Sequence, residues 1–583
     1  MTASTIVSAP EDQGRPETPA MRQQRWRTRL LACLSVLAGT AAIGAHAALY
    51  GYWIVDDAAI TFAYARSVTE GWGFVVQQGA APVEGFSNPT WLALLSLGRL
   101  VGLFDHGTLF GIPDYAVYPK ALALLCCASL LVGCYFAAKK VTRWPWLATL
   151  ASGIILAAIP SFVMWSFSGL ENSLYALTVV WLAVLVFRAV IDDRLLGKRV
   201  AIVAGLLAAV AALTRPDGLI YAGAYPLVAL AMLFRANNRP RFGPSLRYAL
   251  LSVAAFAAPV GGYFLWRHFH FGRWLPNTAV AKSQDIPGLA DIARLGELVN
   301  YIGAPLILLM MIIGTLVLRR PFWWRRGLVA LLVPLSLAVL AFVVLNPDWM
   351  VQYRFATPAW AMLALVGPLV TAEALRGLRP KGTKWLGLGL VITLLISGAT
   401  LLNSFERARE TLTVPMCYVA DRLGRVFNGY ADILGLQHGS LLLPDLGGSS
   451  LTSRLRLYDM AGLVSPKIAD YIKADDLEGL RDYIFTDVKP TFIHSRGPWA
   501  AGNGITSDPR IERDYYPIYI YPESDPPNGD WVRKDAVSSQ QELAQLRAYA
   551  QSHAVAVDNN ADEWPQRQCG TKLRPGQTAV GLH

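Results

Sequence analysis

The chain has 583 residues, 54% of them hydrophobic and only 16% charged, with a mean hydropathy of +0.36. That balance excludes a soluble enzyme of this length, because runs of about 18 or more apolar residues recur, the mark of membrane-crossing helices. The formal charge of +11 does not point to nucleic acid: from Ser404 onward 19 Lys and Arg stand against 23 Asp and Glu. The positive excess therefore belongs to the apolar part, where it is topological.

Residues 1–21, rich in Pro, Ser, Thr and Glu, read as a disordered cytoplasmic leader. Arg22, Arg25, Arg27 and Arg29 then precede an apolar run from Leu30 to Val55, too long for a signal-peptide core. The run predicts a retained helix with its N-terminus in the cytoplasm. Further apolar segments at 118–138, 146–163, 173–191, 200–214, 217–235, 249–269, 298–318, 327–345, 354–374 and 383–403 bring the expectation to about 11 spans. The segment 89–103 is short, carries Arg99 and reads as interfacial. The two segments flanking Thr214 are also short and read alternatively as one broken hairpin.

Charge supports this count. The predicted inside loops collect Lys139, Lys140 and Arg143, then Arg194, Lys198 and Arg199, and likewise Arg235 to Arg247, Arg319 to Arg326 and Arg376 to Lys384. The longer outside loops hold few basic residues, as a cytoplasmic bias requires. The chain thus divides into a polytopic α-helical membrane domain over 22–403 and an exported domain over 404–583. Short β-like runs (SLLLPDL, YIFTD, TFIHS, YPIYIY) beside a helical stretch at 535–553 make the second part α/β or α+β.

Cofactor signals are sparse. Cys33, Cys126, Cys127 and Cys134 lie in apolar segments as ordinary filler, while Cys417 and Cys569 fall in the exported part and can pair as a disulfide. No Walker or Rossmann glycine loop is present, so cytoplasmic ATP or a nucleotide-sugar has no obvious site. The adjacent Asp56 and Asp57 are compatible with a divalent metal, but no ligand cluster beyond them argues for one.

The unusual polar residues all sort to the outside loops. These are Asp56, Asp57, Tyr64, Glu84 and Asn88; Ser168, Glu171 and Asn172; Arg215 and Asp217; Asn277 and Lys282; and Asp348, Trp349, Tyr353 and Arg354. Charges at membrane depth are costly unless they pair or line a cavity, so one external pocket is the economical reading. Plainer roles stand beside it. Asp56 can cap a helix beginning near Ala58, Glu171 can cap one beginning near Ser173, and Arg215 can pair with Asp217. Arg354 can snorkel to the interface, and Trp53, Trp72, Trp91, Trp274 and Trp349 can form an aromatic belt. A helix over 57–68 places Asp57, Thr61, Tyr64 and Val68 on one face. A carboxylate held there can take a proton from a sugar hydroxyl. His438 and His494 are isolated and carry no ligand role.

In these motifs the chain resembles the polyprenyl-phosphate-dependent membrane glycosyltransferases of the GT-C class. The matching stretches are Asp56 to Trp91, Ser168 to Glu171, Thr214 to Gly218, Leu275 to Lys282 and Asp348 to Phe355, with further likeness at Asp445 to Gly447 and Tyr458 to Leu463. The resemblance implies a multispan helical fold in a bacterial plasma membrane, a lipid-linked sugar donor, and inverting transfer to a cell-envelope glycan or glycoconjugate on the external face. It points further to arabinofuranosyltransferases of the AftB kind, which use decaprenyl-phosphoryl-arabinose. On this reading Asp56, with slight preference, or Asp57 is the general base, and Lys282, Arg354 and Arg215 meet the donor phosphate. Tyr64, Glu84, Asn88, Glu171, Asp217, Asn277, Asp348, Trp349 and Tyr353 would contact substrate. The alternative of another class is a flippase, carrier or assembly protein for lipid-linked glycans.

Overall fold

The computed structural model describes residues 19–233, 242–282, 288–318, 321–522, 524–561 and 566–578, so most of the expected leader lies outside the described residues. Proline opens many of the helices, where its fixed φ suits the first turn and its missing N–H costs nothing. In chain order they are α1 (Pro19–Ala48), α2 (Asp56–Thr69), α3 (Pro89–Leu100), α4 (Asp114–Val141), α5 (Pro145–Ala158), α6 (Pro160–Ser166) and α7 (Asn172–Ile191). There follow α8 (Lys198–Thr214), a 3-10 turn over Pro216–Gly223 running into α9 (Ala224–Leu233), α10 (Phe242–Phe271), α11 (Asn277–Ala281) and α12 (Arg294–Ile302). The membrane part closes with α13 (Ala304–Leu318), α14 (Phe322–Val344), α15 (Thr357–Arg376) and α16 (Pro380–Glu410).

Eight helices among the described residues are long and apolar enough to cross a membrane, or up to 10 if each of two bent pairs is one span. The remaining expected span, 200–214, is α8, whose 17 residues fall just short of a full crossing. The bends have local causes. Pro160 cannot continue α5, so α6 leaves it at 82°, and Gly303 adopts a φ of 103° where α13 turns away from α12 by 101°. The first span is also shorter than its apolar run: α1 stops at Ala48, and residues 53–55 are not helical. Small residues let helices close together, since a Cβ on Gly153 of α5 would lie 2.6 Å from the Gly39 Cα of α1.

The C-terminal part carries a five-stranded mixed sheet. Its strands, after a two-residue hairpin of β1 (Thr108–Leu109) and β2 (Ile112–Pro113), are β3 (Ser440–Leu443), β4 (Arg456–Asp459), β5 (Phe492–Ser495), β6 (Tyr515–Ile520) and β7 (Gly529–Arg533), in spatial order β4-β3-β5-β7-β6. The β3 pairs are parallel and the β7 pairs antiparallel. Of the β-like runs, YIFTD is instead helical: Asp476 caps Leu477–Asp482, and the helix continues through Tyr483–Val488. Cys417 and Cys569 form a disulfide with Cα atoms 5.1 Å apart.

Candidate active site

The two parts of the chain meet at the start of α2. Residues 53–56 lie against 413–416: Trp53 Nε1 donates to the Thr413 carbonyl at 2.9 Å, Asp56 N to that of Val414 at 3.0 Å, and Met416 N to that of Ile54 at 2.9 Å. Asp56 does not cap a helix starting at Ala58. It is itself the first residue of α2, behind Val55. Its two carboxylate oxygens accept the backbone N–H groups of Gly447 (2.9 Å) and Gly448 (2.7 Å), and the residue is 3% exposed. Only glycine fits there, because a Cβ on Gly447 would stand 1.9 Å from the Asp56 carbonyl oxygen. Burial pushes the Asp56 carboxyl well up, helped by the charges of Asp445 and Asp57 and opposed by the two amides.

Asp57 is placed differently. Its Oδ2 lies 3.5 Å from Lys282 Nζ, with the aspartate side chain 20% exposed and the lysine 46%. The lysine follows α11, which is pinned at both sides. Asn277 N donates to the Glu84 carbonyl, and the Asn277 side-chain amide donates to the carbonyls of Gly462 (2.5 Å) and Leu463 (3.0 Å). Glu84 is held in turn by Arg267 and by Tyr263 Oη at 2.6 Å. Glu84 and Asn277, expected on substrate, therefore have their polar atoms engaged in fixing the loop that presents Lys282. Tyr64 is fully buried and donates to the Val83 carbonyl at 2.7 Å while accepting from Gly85 N, so it too shapes the first loop.

The expected single pocket separates into three groups. Asn88, Glu171, Arg215 and Asp217 form a buried ladder: Thr61 Oγ1 donates to Asn88 Oδ1, Asn88 Nδ2 to Glu171 at 2.7 Å, and Arg215 to Glu171 (3.1 Å) and Asp217 (2.9 Å). Glu171 precedes α7 without capping it by its side chain, since its carboxylate turns to Asn88 and Arg215. Arg354 pairs with Asp348 at 2.6 Å and lines, with Tyr353, a cavity of about 350 Å³ elsewhere on the chain. Trp349 is 56% exposed and does not line that cavity. What remains beside the α2 start is Asp57, Lys282 and two groups from the C-terminal part.

Those two are Asp445 and Arg496, whose guanidinium bonds the Asp445 carboxylate at 2.7 Å and lies 5.0 Å from the Tyr418 ring. Asp445 is close enough to Asp56 to act on its charge. The sequence flagged Asp445 only as part of a motif and gave no signal for Arg496, which is 51 residues away along the chain. Among the described residues no three His, Cys, Asp or Glu side chains gather into a metal-holding group. No step below runs through a metal.

Asp459 of β4 fixes the same junction. It is fully buried and accepts the N–H groups of Ala461 (2.8 Å) and Val464 (3.2 Å), shaping the loop whose carbonyls hold Asn277. Burial pushes its carboxyl up to about 7, against the pull of those amides. The native state thus binds a proton that the unfolded chain has released, at any pH between the ordinary carboxylate range and about 7. Its contribution is full below that window and is lost as pH rises through it. Denaturation of the full-length protein followed from pH 5 to pH 8 should show stability falling by up to ~1.4 kcal/mol per pH unit from this group. Asp459→Asn should flatten the slope, and an unchanged slope in that variant rules the assignment out.

No protein-family model matches the chain, and no curated protein matches it. Among solved structures, ArnT from Cupriavidus metallidurans in the apo state is similar, with a TM-score of 0.53 at 12% identity, covering 89% of this chain and 100% of that one. The archaeal oligosaccharyltransferase AglB from Archaeoglobus fulgidus, in complex with an inhibitory peptide and a dolichol-phosphate, matches with a TM-score of 0.41 at 15% identity over 64% of this chain. That match spans just over half, 56%, of the oligosaccharyltransferase. Arabinofuranosyltransferase AftD from Mycobacteria matches with a TM-score of 0.47 at 16% identity, over 81% of this chain and 35% of that one. The chain is a polytopic helical membrane protein whose fold is similar to that of ArnT over 89% of its length.

Proposed function

We propose that this protein transfers a sugar from a polyprenyl-phosphate donor to a cell-envelope glycan or glycoconjugate on the external face of a bacterial plasma membrane, with inversion at the anomeric carbon. The observation that carries the reading is the Asp57–Lys282 pair at 3.5 Å, partly exposed and set against the fully engaged Asp56. Asp57 takes the proton of the acceptor hydroxyl as its oxygen attacks the anomeric carbon. The bond from that carbon to the phosphate oxygen breaks, and the electron pair leaves with the lipid phosphate. Lys282 neutralises the charge that develops on the departing oxygen. Asp56, Glu84 and Asn277 act as positioning residues. Arg215, closed into its ladder with Glu171 and Asp217, is not given to the donor phosphate.

Arabinofuranose, carried as decaprenyl-phosphoryl-arabinose, is the donor sugar favoured by the motif resemblance. The Cys417–Cys569 disulfide supports an exported C-terminal part, because such bonds persist in oxidising compartments. The test is a reconstituted assay with purified protein, decaprenyl-phosphoryl-arabinose and a short arabinan acceptor. A new glycosidic bond of inverted configuration is the expected product. Donor carried across the bilayer with no new bond formed would make the protein a carrier instead.

A further inference from the structure

The C-terminal sheet delivers Asp445 and Arg496 to the reaction centre by its winding. Strands β3, β4 and β5 are parallel and lie in the order β4-β3-β5, so the chain steps from β3 to one side and then crosses back to the other. Their side chains alternate between two cores. Leu441, Leu443 and Phe492 belong to the core that holds Leu451 of the short helix over Gly447–Thr452, whereas Leu442 and Ile493 pack with Ile468, Leu480 and Ile484 from the helices between β4 and β5. Helices thus cover both faces. A sheet wound in this way leaves a crevice beyond the carboxyl ends of the two strands where the winding reverses, and ligands of open α/β sheets bind there.

Here those two strands are β3 and β5. Asp445 lies two residues past the end of β3, and Arg496 directly follows β5. The Arg496 Nε (3.1 Å) and Nη2 (2.7 Å) both donate to one oxygen, Asp445 Oδ2. Asp445 Oδ1 and Arg496 Nη1 have no hydrogen-bond partner among the described residues, and the two side chains are 17% and 26% exposed. The Tyr418 ring backs the guanidinium, and its own hydroxyl is anchored on Asp558 at 2.7 Å.

The crevice therefore presents one open acceptor and one open donor on a braced pair. Two residues beyond Asp445, the Gly447 N–H holds Asp56, the neighbour of Asp57. Because Asp445 already balances the guanidinium, the crevice carries no net charge to attract an anion. Two neighbouring hydroxyls of a sugar match it, one donating to Oδ1 and the other accepting from Nη1.

We propose that Asp445 and Arg496 form the acceptor subsite, binding two neighbouring hydroxyls of the acceptor glycan's terminal sugar and leaving a third to be presented to Asp57. The subsite rests on the transfer reaction proposed above and names where its acceptor sits. Its test is calorimetric titration of the full-length protein in detergent with a short arabinan oligosaccharide and no donor. Arg496→Gln and Asp445→Asn should each weaken binding about tenfold, the loss of one hydrogen bond to a charged group. Oligosaccharides whose terminal sugar lacks one of the two hydroxyls should lose about tenfold on the parent and nothing further on the variant that has lost its partner. A structural role for the pair would not produce that non-additivity. In the transfer assay both variants should raise the acceptor KM and leave the donor KM unchanged. An oligosaccharide that does not bind the parent, binding indifferent to both variants, or deoxygenation losses that add in full to those of both variants would each overturn the subsite. Binding that responds to the variants without any transfer counts against the reaction and leaves a glycan site standing. Transfer with an acceptor KM indifferent to both variants removes the subsite and leaves the reaction.

Discussion

Asp57→Asn should lower transfer by about 10²–10⁴-fold, the usual contribution of a general base, while leaving the protein folded. The side chain is partly exposed and its ionic partner among the described residues is Lys282 at 3.5 Å, a contact that contributes little to stability when half in water. Thermal unfolding of the variant should therefore overlay that of the parent. Asp56→Asn should behave in the opposite way. The amide keeps one acceptor oxygen but turns an N–H₂ group toward an N–H of the Gly447–Gly448 pair, so the junction weakens and activity falls with stability. Measuring kcat and melting behaviour for both variants separates the roles. Full activity in Asp57→Asn, with normal stability and lost activity in Asp56→Asn, would return the base to Asp56.

The second large effect is expected far from that site. Arg422 is completely buried in the C-terminal domain and bridges Asp530 and Asp558, each at 3.0 Å. Tyr430 Oη donates to Asp530 at 2.9 Å and His494 Nδ1 lies 2.6 Å from it, while Tyr418 and Tyr521 donate to Asp558. Burial works against the charge of Asp530, yet Arg422 and His494 hold its carboxyl below the ordinary range. Arg422→Ala leaves two carboxylates facing a cavity and should destabilise the domain by about 3–5 kcal/mol. Arg422→Lys should rescue little, because one ammonium cannot make the two divergent contacts of the guanidinium. Limited proteolysis of the full-length protein reads this directly through earlier cleavage after Ser404. Unchanged protease resistance in Arg422→Ala would show that the network contributes specificity rather than stability.

Local patterns carried the membrane part of the fold. Spans follow from apolar length, and proline and glycine at 160 and 303 decide where two of them bend. Strands β3, β5 and β6 were visible as apolar runs, but β4 and β7 were not. RLYD and GDWVR are short and polar enough to pass for loop, and only their neighbours in the sheet make them strands. YIFTD has strand composition and became helix because a capped helix upstream carries through it.

The candidate site divides along the same line. Sequence order shows which residues are unusual and does not show which partner each one meets. Glu171, Arg215 and Asp217 were unusual because they satisfy one another. His494 looked isolated, yet its partner Asp530 sits on the neighbouring strand β7, 36 residues later. Asp56 and Asp57, adjacent in the chain, face different surroundings, since successive positions on a helix point about 100° apart. One turns into glycine amides and the other toward a lysine.

The clasp between Asp56 and the Gly447–Gly448 amides joins residues 391 and 392 positions apart. During synthesis the helix bearing Asp57 is therefore made long before the segment that orients it exists. The membrane spans can assemble while the reaction centre stays incomplete, and completion waits for the C-terminal domain to fold against them. On the reading proposed for Asp57, the clasp couples quality control to chemistry: a chain whose last domain misfolds has nothing to hold Asp56 and is expected to be inactive.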